Sequence, residues 1–95
     1  MTNLSKHSEQ AWTLIGNIDR HTLPKIWADL NKLPNNDLVV DLSQVDRVDG
    51  AGLAGLVRLK MNAELQNIQL SFTHAPIQLL HLAELSNVDT MLSPA

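Results

Sequence analysis

Residues 38–59, LVVDLSQVDRVDGAGLAGLVRL, decide the fold of this chain. Residues 38–42 are apolar and rich in β-branched side chains, which predicts a short buried strand. The polar residues 44–49 predict a connection rather than more strand, with Val45 and Val48 as anchors that point inward. The stretch therefore begins as a strand and leads into a second element after residue 49.

A helix is predicted to begin directly after Asp49. The Asp49 carboxylate is placed to accept hydrogen bonds from the main-chain N–H groups of Ala51 or Gly52 and so cap the helix. The residues that follow repeat at the helical period and predict a wide apolar face. That face consists of Leu53, Val57, Met61 and Leu65, flanked by Leu56 and Leu59.

Strand and helix patterns alternate through the rest of the chain. They predict an edge strand over 4–8, a strand over 11–18, a helix over 23–33, a strand over 68–72, a helix over 77–85 and a short tail formed by Val88, Met91 and Leu92. Thr22 is the predicted cap of the first helix, and Pro24 fits its first turn. The alternation predicts the α/β class, with one domain over residues 1–95 and right-handed crossovers.

Composition excludes several classes of function. The chain has 95 residues, a net charge of −3 and no cysteine. The scattered basic residues do not form the cluster that nucleic acid binding needs, so no nucleic acid partner is expected. Without cysteine there is no disulfide and no thiolate metal site. The first ten residues have no apolar run that would predict a signal peptide, and no stretch approaches about 18 apolar residues. Any membrane connection is therefore expected through a partner.

Two motifs invite an interpretation as ligand sites. Residues 50–55, GAGLAG, match the G-x-G-x-x-G pattern of dinucleotide-binding turns, but six residues separate the motif from the predicted strand and no acidic residue ends the next strand. Asp41, Asp46 and Asp49 are interpreted as loop and cap residues, because the six oxygens of a hard-cation site are missing. The four histidines show no metal spacing and no nucleophile partner. No catalytic, cofactor-binding or metal-binding residue is predicted, and no cofactor.

The segments 41–43, DLS, and 49–53, DGAGL, resemble the signature of the STAS domain, the fold of the anti-sigma factor antagonists. The resemblance implies a small mixed sheet of about four strands with three helices packed on one side. It also implies a protein-binding role without enzymatic activity. The phosphorylatable Ser or Thr of that family falls on Gly50, which has no hydroxyl, so Gly50 is a lost phosphosite.

One branch of the family fits the chain better than the phosphorylated antagonists. The segments V-D-R-V-D (45–49) and L-P-x-x-W (23–27), with a brief tail after the third helix, resemble the small STAS subunit of the lipid-asymmetry (Mla) ABC transporters. That resemblance implies a cytoplasmic regulatory subunit, peripheral to the inner membrane, that binds the ATPase subunit. The alternative is an anti-sigma factor antagonist without the usual phosphosite. Self-association is left open.

The start of the second predicted helix is the expected docking site. Its first N–H groups have no intrahelical acceptor, and small residues would let a partner approach the backbone. The predicted partner-binding residues are Trp27, Asp49, Gly50, Ala51, Gly52 and Leu53. Trp27 lies at the edge of its apolar stripe, which fits a core margin and an interface anchor equally. Gly52→Arg is expected to change folding stability by no more than about 1 kcal/mol.

Overall fold

Four strands and three helices alternate in the computed structural model, which describes residues 3–88. The elements are β1 (Asn3–Lys6), β2 (Ala11–Ile18), α1 (Leu23–Leu30), β3 (Leu38–Val48), α2 (Gly50–Leu65), β4 (Leu70–Thr73) and α3 (Ile77–Leu85). The predicted order of elements is confirmed, as are the bounds of β2 and α3. The predicted tail includes Met91 and Leu92, which lie outside the described residues.

The strands form one mixed sheet in the order β1-β2-β3-β4. β1 pairs antiparallel with β2, whereas β2, β3 and β4 run parallel. Parallel neighbours need a crossover, which α1 and α2 provide. The four-stranded mixed sheet is therefore confirmed. No helix within residues 3–88 is long and apolar enough to cross a membrane.

A mostly aliphatic core lies between one face of the sheet and the helices. β2 contributes Trp12, Leu14 and Ile18, and β4 contributes Leu70 and Phe72. The central strand β3 places five side chains in the same core: Leu38, Val40, Leu42, Val45 and Val48. Val45 and Val48 therefore point inward, as the sequence predicts.

The end of β3 is the largest correction to the predicted elements. The strand continues to Val48, where the sequence predicts a polar connection from residue 44. The pairing with β2 shifts register at two places, and at each of them β3 contributes one residue more than β2. Such bulges add an unpaired residue and interrupt the alternation of inward and outward side chains. The polar pairs 43–44 and 46–47 therefore lie outward without ending the strand.

The first helix is shorter than predicted, because α1 ends at Leu30 rather than at residue 33. Thr22 precedes it, but its hydroxyl makes no capping bond to the helix. The Thr22 hydroxyl donates to the carbonyl of Asn17 and accepts from the N–H of Asp19. The edge strands are also displaced from their predicted positions, since β1 covers Asn3–Lys6 and β4 begins at Leu70.

Candidate protein-docking surface

The start of α2 is tied to the end of β2 by one side chain. The Asp49 Oδ1 atom accepts from the N–H of Gly52 at 2.7 Å, which confirms the predicted cap. The Asp49 Oδ2 atom accepts from the N–H of Arg20 at 3.3 Å, and the N–H of Asp49 donates to the carbonyl of Ile18. One carboxylate therefore fixes the helix start and the loop after β2 in a single position.

The two glycines at this junction have different surroundings. A Cβ atom on Gly52 would collide with the carbonyl of Ile18, whereas a Cβ on Gly50 would meet nothing within 4 Å. Gly52 lets α2 approach the end of β2, so its small size serves the fold. The prediction that Gly52→Arg folds normally is therefore wrong, because main-chain atoms of the same domain occupy that space.

The six predicted docking residues differ in their exposure. Gly50 and Ala51 are exposed, and Asp49 is half-buried. Gly52 and Leu53 are buried, and Leu53, which is 4% exposed, also borders the groove described next. Trp27 is half-buried, packs against the core and does not line the groove described next.

A groove lies along the outer side of α2, and the sequence does not predict it. It has a volume of about 770 Å³ and follows the helix from Gly50 to Leu65, with Ser86 and Val88 at one side. Met61 is 51% exposed and Leu65 is 83% exposed, although the sequence places both on one apolar face with Leu53. The buried face of α2 is instead Gly52, Leu53, Leu56, Leu59 and Ala63.

A polar notch adjoins the groove at the start of α2. It has a volume of about 350 Å³ and lies at the carboxyl ends of β2 and β3, lined by Asn17, Asp19, Arg20, His21, Arg47, Val48, Asp49 and Gln78. Hydrogen bonds from the main-chain N–H groups of Thr22 and His21 hold the pKa of Asp19 below its usual range. Asp49 and Gly50 connect the notch to the groove.

The glycine motif at 50–55 follows β3 directly, because the strand continues to Val48. The separation from the strand therefore no longer argues against a dinucleotide site. The packing of the glycines argues against such a site, because Gly52 faces the carbonyl of Ile18 and Gly55 faces the side chain of Leu23. Both glycines accommodate contacts within the domain, and no acidic residue ends β4.

The aspartates serve as local acceptors, as the sequence predicts for Asp49. The Asp41 carboxylate accepts from the N–H and the hydroxyl of Ser43 at 2.9 and 3.1 Å. Nδ1 of His74 lies 3.2 Å from Asp41 Oδ1. The N–H of Ser43 is the main cause that lowers the pKa of Asp41. Within residues 3–88, no three acidic or histidine side chains are arranged to hold a metal ion.

Two solved structures have a similar fold. The anti-sigma factor antagonist SpoIIAA, in its unphosphorylated form, is similar with a TM-score of 0.75 and 11% identity, over 100% of this chain and 88% of that one. A sulfate transporter family protein from Wolinella succinogenes is similar with a TM-score of 0.69 and 13% identity, over 88% of this chain and 70% of that one. Both likenesses concern the fold, which is that of a STAS domain.

The match to a family model defines a narrower group of proteins than the fold does. The family model described as "Mlab, STAS domain" matches residues 3–93, so the chain belongs to the MlaB-type STAS family. STAS domains are generally regulatory or binding domains without enzymatic activity. No curated protein sequence matches the chain.

Proposed function

We propose that this protein is a non-enzymatic regulatory subunit that binds the ATPase subunit of a phospholipid-transporting ABC transporter. The match of the MlaB-type family model to residues 3–93 is the observation that carries the proposal. In this proposal the protein lies in the cytoplasm and reaches the inner membrane only through its partner. It inserts into no lipid and uses no cofactor.

The outer side of α2 is the proposed docking surface. Exposed Met61 and Leu65 lie in one groove with Gly50, and partner contacts would remove their apolar surface from water. Gly50 has no side chain and Ala51 has only a methyl group, so a partner helix or loop approaches the α2 backbone closely at this end of the groove. Leu53 and Gly52 support this surface from inside the domain.

Docking would act on the ATPase through its conformational equilibrium. A subunit that binds one arrangement of its partner more tightly raises the population of that arrangement. The proposed effect is to stabilise the active arrangement of the ATPase and the assembled transporter. Because Gly50 has no hydroxyl, this docking is not controlled by phosphorylation at that position.

The second candidate function is that of an anti-sigma factor antagonist without the usual phosphosite. Its support is the likeness in fold to SpoIIAA. Under this alternative the partner is a kinase that also binds a sigma factor. The two candidates share the docking surface but differ in the partner.

Binding measurements with two purified partners test the proposal. The ATPase subunit of the host's own lipid-asymmetry transporter and an anti-sigma kinase of the same host are each titrated with this protein by calorimetry. We expect saturable binding to the ATPase alone, together with changed ATP hydrolysis by that subunit. Binding to the kinase alone would replace the proposal with its alternative.

A further inference from the structure

The three arginines of the chain, Arg20, Arg47 and Arg58, border the docking surface. Arg20 and Arg47 line the notch at the start of α2, and Arg58 lines the groove along it. The chain as a whole has a net charge of −3. Its arginines are thus concentrated on one surface of an otherwise acidic protein.

These arginines have no acidic partner within residues 3–88, where the ion pairs use lysine and histidine. Two carboxylates lie in the notch, but both are engaged with the main chain. Asp19 accepts from the N–H groups of His21 and Thr22, and Asp49 accepts from those of Arg20 and Gly52. The guanidinium groups of Arg20 and Arg47 are therefore available to an external acceptor.

The groove carries one positive charge, whereas the two arginines of the notch are balanced by Asp19 and Asp49. Arg58 is the one ionisable side chain among the described residues that line it. Arginine presents a planar set of donors that matches a carboxylate in a bidentate arrangement, and it is enriched at interfaces where lysine is depleted. A continuous surface therefore combines apolar contact along α2 with carboxylate recognition at Arg58 and in the notch.

We propose that the partner segment which occupies this surface is an acidic amphipathic helix. Its apolar face covers Met61 and Leu65, and its carboxylates pair with Arg58 and with the two arginines of the notch. The assignment of the ATPase as the protein that carries this segment rests on the proposed function. The chemistry of the segment does not rest on the proposed function, because it follows from the charges and apolar groups of this chain.

The first experiment measures binding of the host's ATPase subunit to the full chain and to Arg20→Gln/Arg47→Gln and Arg58→Gln. We expect the double variant to bind about tenfold more weakly, and the salt dependence of binding to decrease. Lys25→Gln/Lys32→Gln is the matched control, since it removes the same charge from exposed sites outside the groove and notch. Arginine variants that bind like the parent, at low and high salt, would overturn the proposal while leaving the ATPase as partner.

A second experiment does not depend on the ATPase. The probe is a synthetic helical peptide of about 18 residues, long enough to match α2, with leucines on one face and glutamates on the other. We expect it to bind the parent at least about tenfold more tightly than its twin with lysine in place of glutamate, and we expect Arg20→Gln/Arg47→Gln to abolish that preference. Equal binding of the twins, or no binding of either, would contradict the inference.

A third experiment uses vesicles of phosphatidylglycerol, with phosphatidylcholine vesicles as the neutral control. We expect no binding to either that depends on the arginines. Binding to the anionic vesicles that Arg20→Gln/Arg47→Gln abolishes would assign the arginines to a lipid surface and overturn the peptide proposal.

Discussion

The inward side of α2 carries Leu53, Leu56 and Leu59, whereas its outward side carries Met61 and Leu65. The residue types are alike, but the inward leucines are 4% exposed or less, and Leu65 is 83% exposed. The inward side stabilises the domain, and the outward side forms an open apolar groove. The difference shows that apolar character alone does not distinguish core residues from exposed groove residues on a helix with apolar residues on both sides.

The glycines at the start of α2 give the largest expected contrast between the two sides. Gly52→Ala should lower the free energy of unfolding by about 3 kcal/mol, because the added methyl meets the carbonyl of Ile18, which cannot move aside. Gly50→Ala, the matched control, should change it by less than about 1 kcal/mol. Urea unfolding of both variants measures the contrast. Equal stability of the two would show that α2 is seated differently.

The leucines of α2 provide a second contrast. Leu56 is fully buried, so Leu56→Ala should cost about 2–5 kcal/mol of unfolding free energy through lost burial and a cavity. Leu65→Ala should stay within about 0.5 kcal/mol, since its side chain already contacts water. Thermal and urea unfolding check both values. A large cost at Leu65 would mean that this residue is covered within the domain.

The role of Trp27, a predicted docking residue, depends on whether it belongs to the core or to the interface. Because it is half-buried against the core and outside the groove, Trp27→Ala should cost roughly 2 kcal/mol of stability, about half the value for a fully buried Trp. ATPase binding by the folded variant should equal that of the parent. Unchanged stability with weakened binding would instead make Trp27 an interface anchor.

The smallest expected effect lies on the sheet, away from α2. Hydrogen bonds from Ser43 lower the pKa of Asp41 in the folded state, so the ionised Asp41 contributes stability at pH 7. That contribution is fully present above the unfolded pKa of about 3.9 and is lost as the pH falls through the lower folded value. Unfolding of the parent and of Asp41→Asn between pH 7 and pH 2 should show a difference that vanishes at low pH. A constant difference would exclude ionisation as its cause.

The sequence predicts the order of the elements because each strand and helix has its own period. It misplaces the end of β3 because two bulges put adjacent polar residues outward, and sequence rules treat such pairs as the end of a strand. The bulges arise from pairing with β2, a long-range contact that no local pattern records. The family signature consists of short local segments, so the wrong strand end does not affect its recognition.

The start of α2 is predicted in position but not in detail. The capping bond of Asp49 to Gly52 follows from sequence spacing, and the structure confirms it. The collision that a side chain on Gly52 would make with Ile18 does not follow from local spacing, because the two positions are 34 apart in the sequence. The four-residue repeat from Leu53 to Leu65 indicates one apolar face. Only the packing of α2 against the sheet shows that Leu53 points inward and that Met61 and Leu65 stay outside.

The most direct test of the docking surface is the affinity of Met61→Asp/Leu65→Asp for the ATPase subunit of the host's lipid-asymmetry transporter. Ile77→Asp is the matched control, because Ile77 is 71% exposed and lies outside the groove. We predict that both variants unfold at the temperature of the parent, that Ile77→Asp binds like the parent, and that Met61→Asp/Leu65→Asp loses at least about tenfold in affinity. Parent-like binding by a folded Met61→Asp/Leu65→Asp would contradict the assignment of the outer side of α2 as the docking surface.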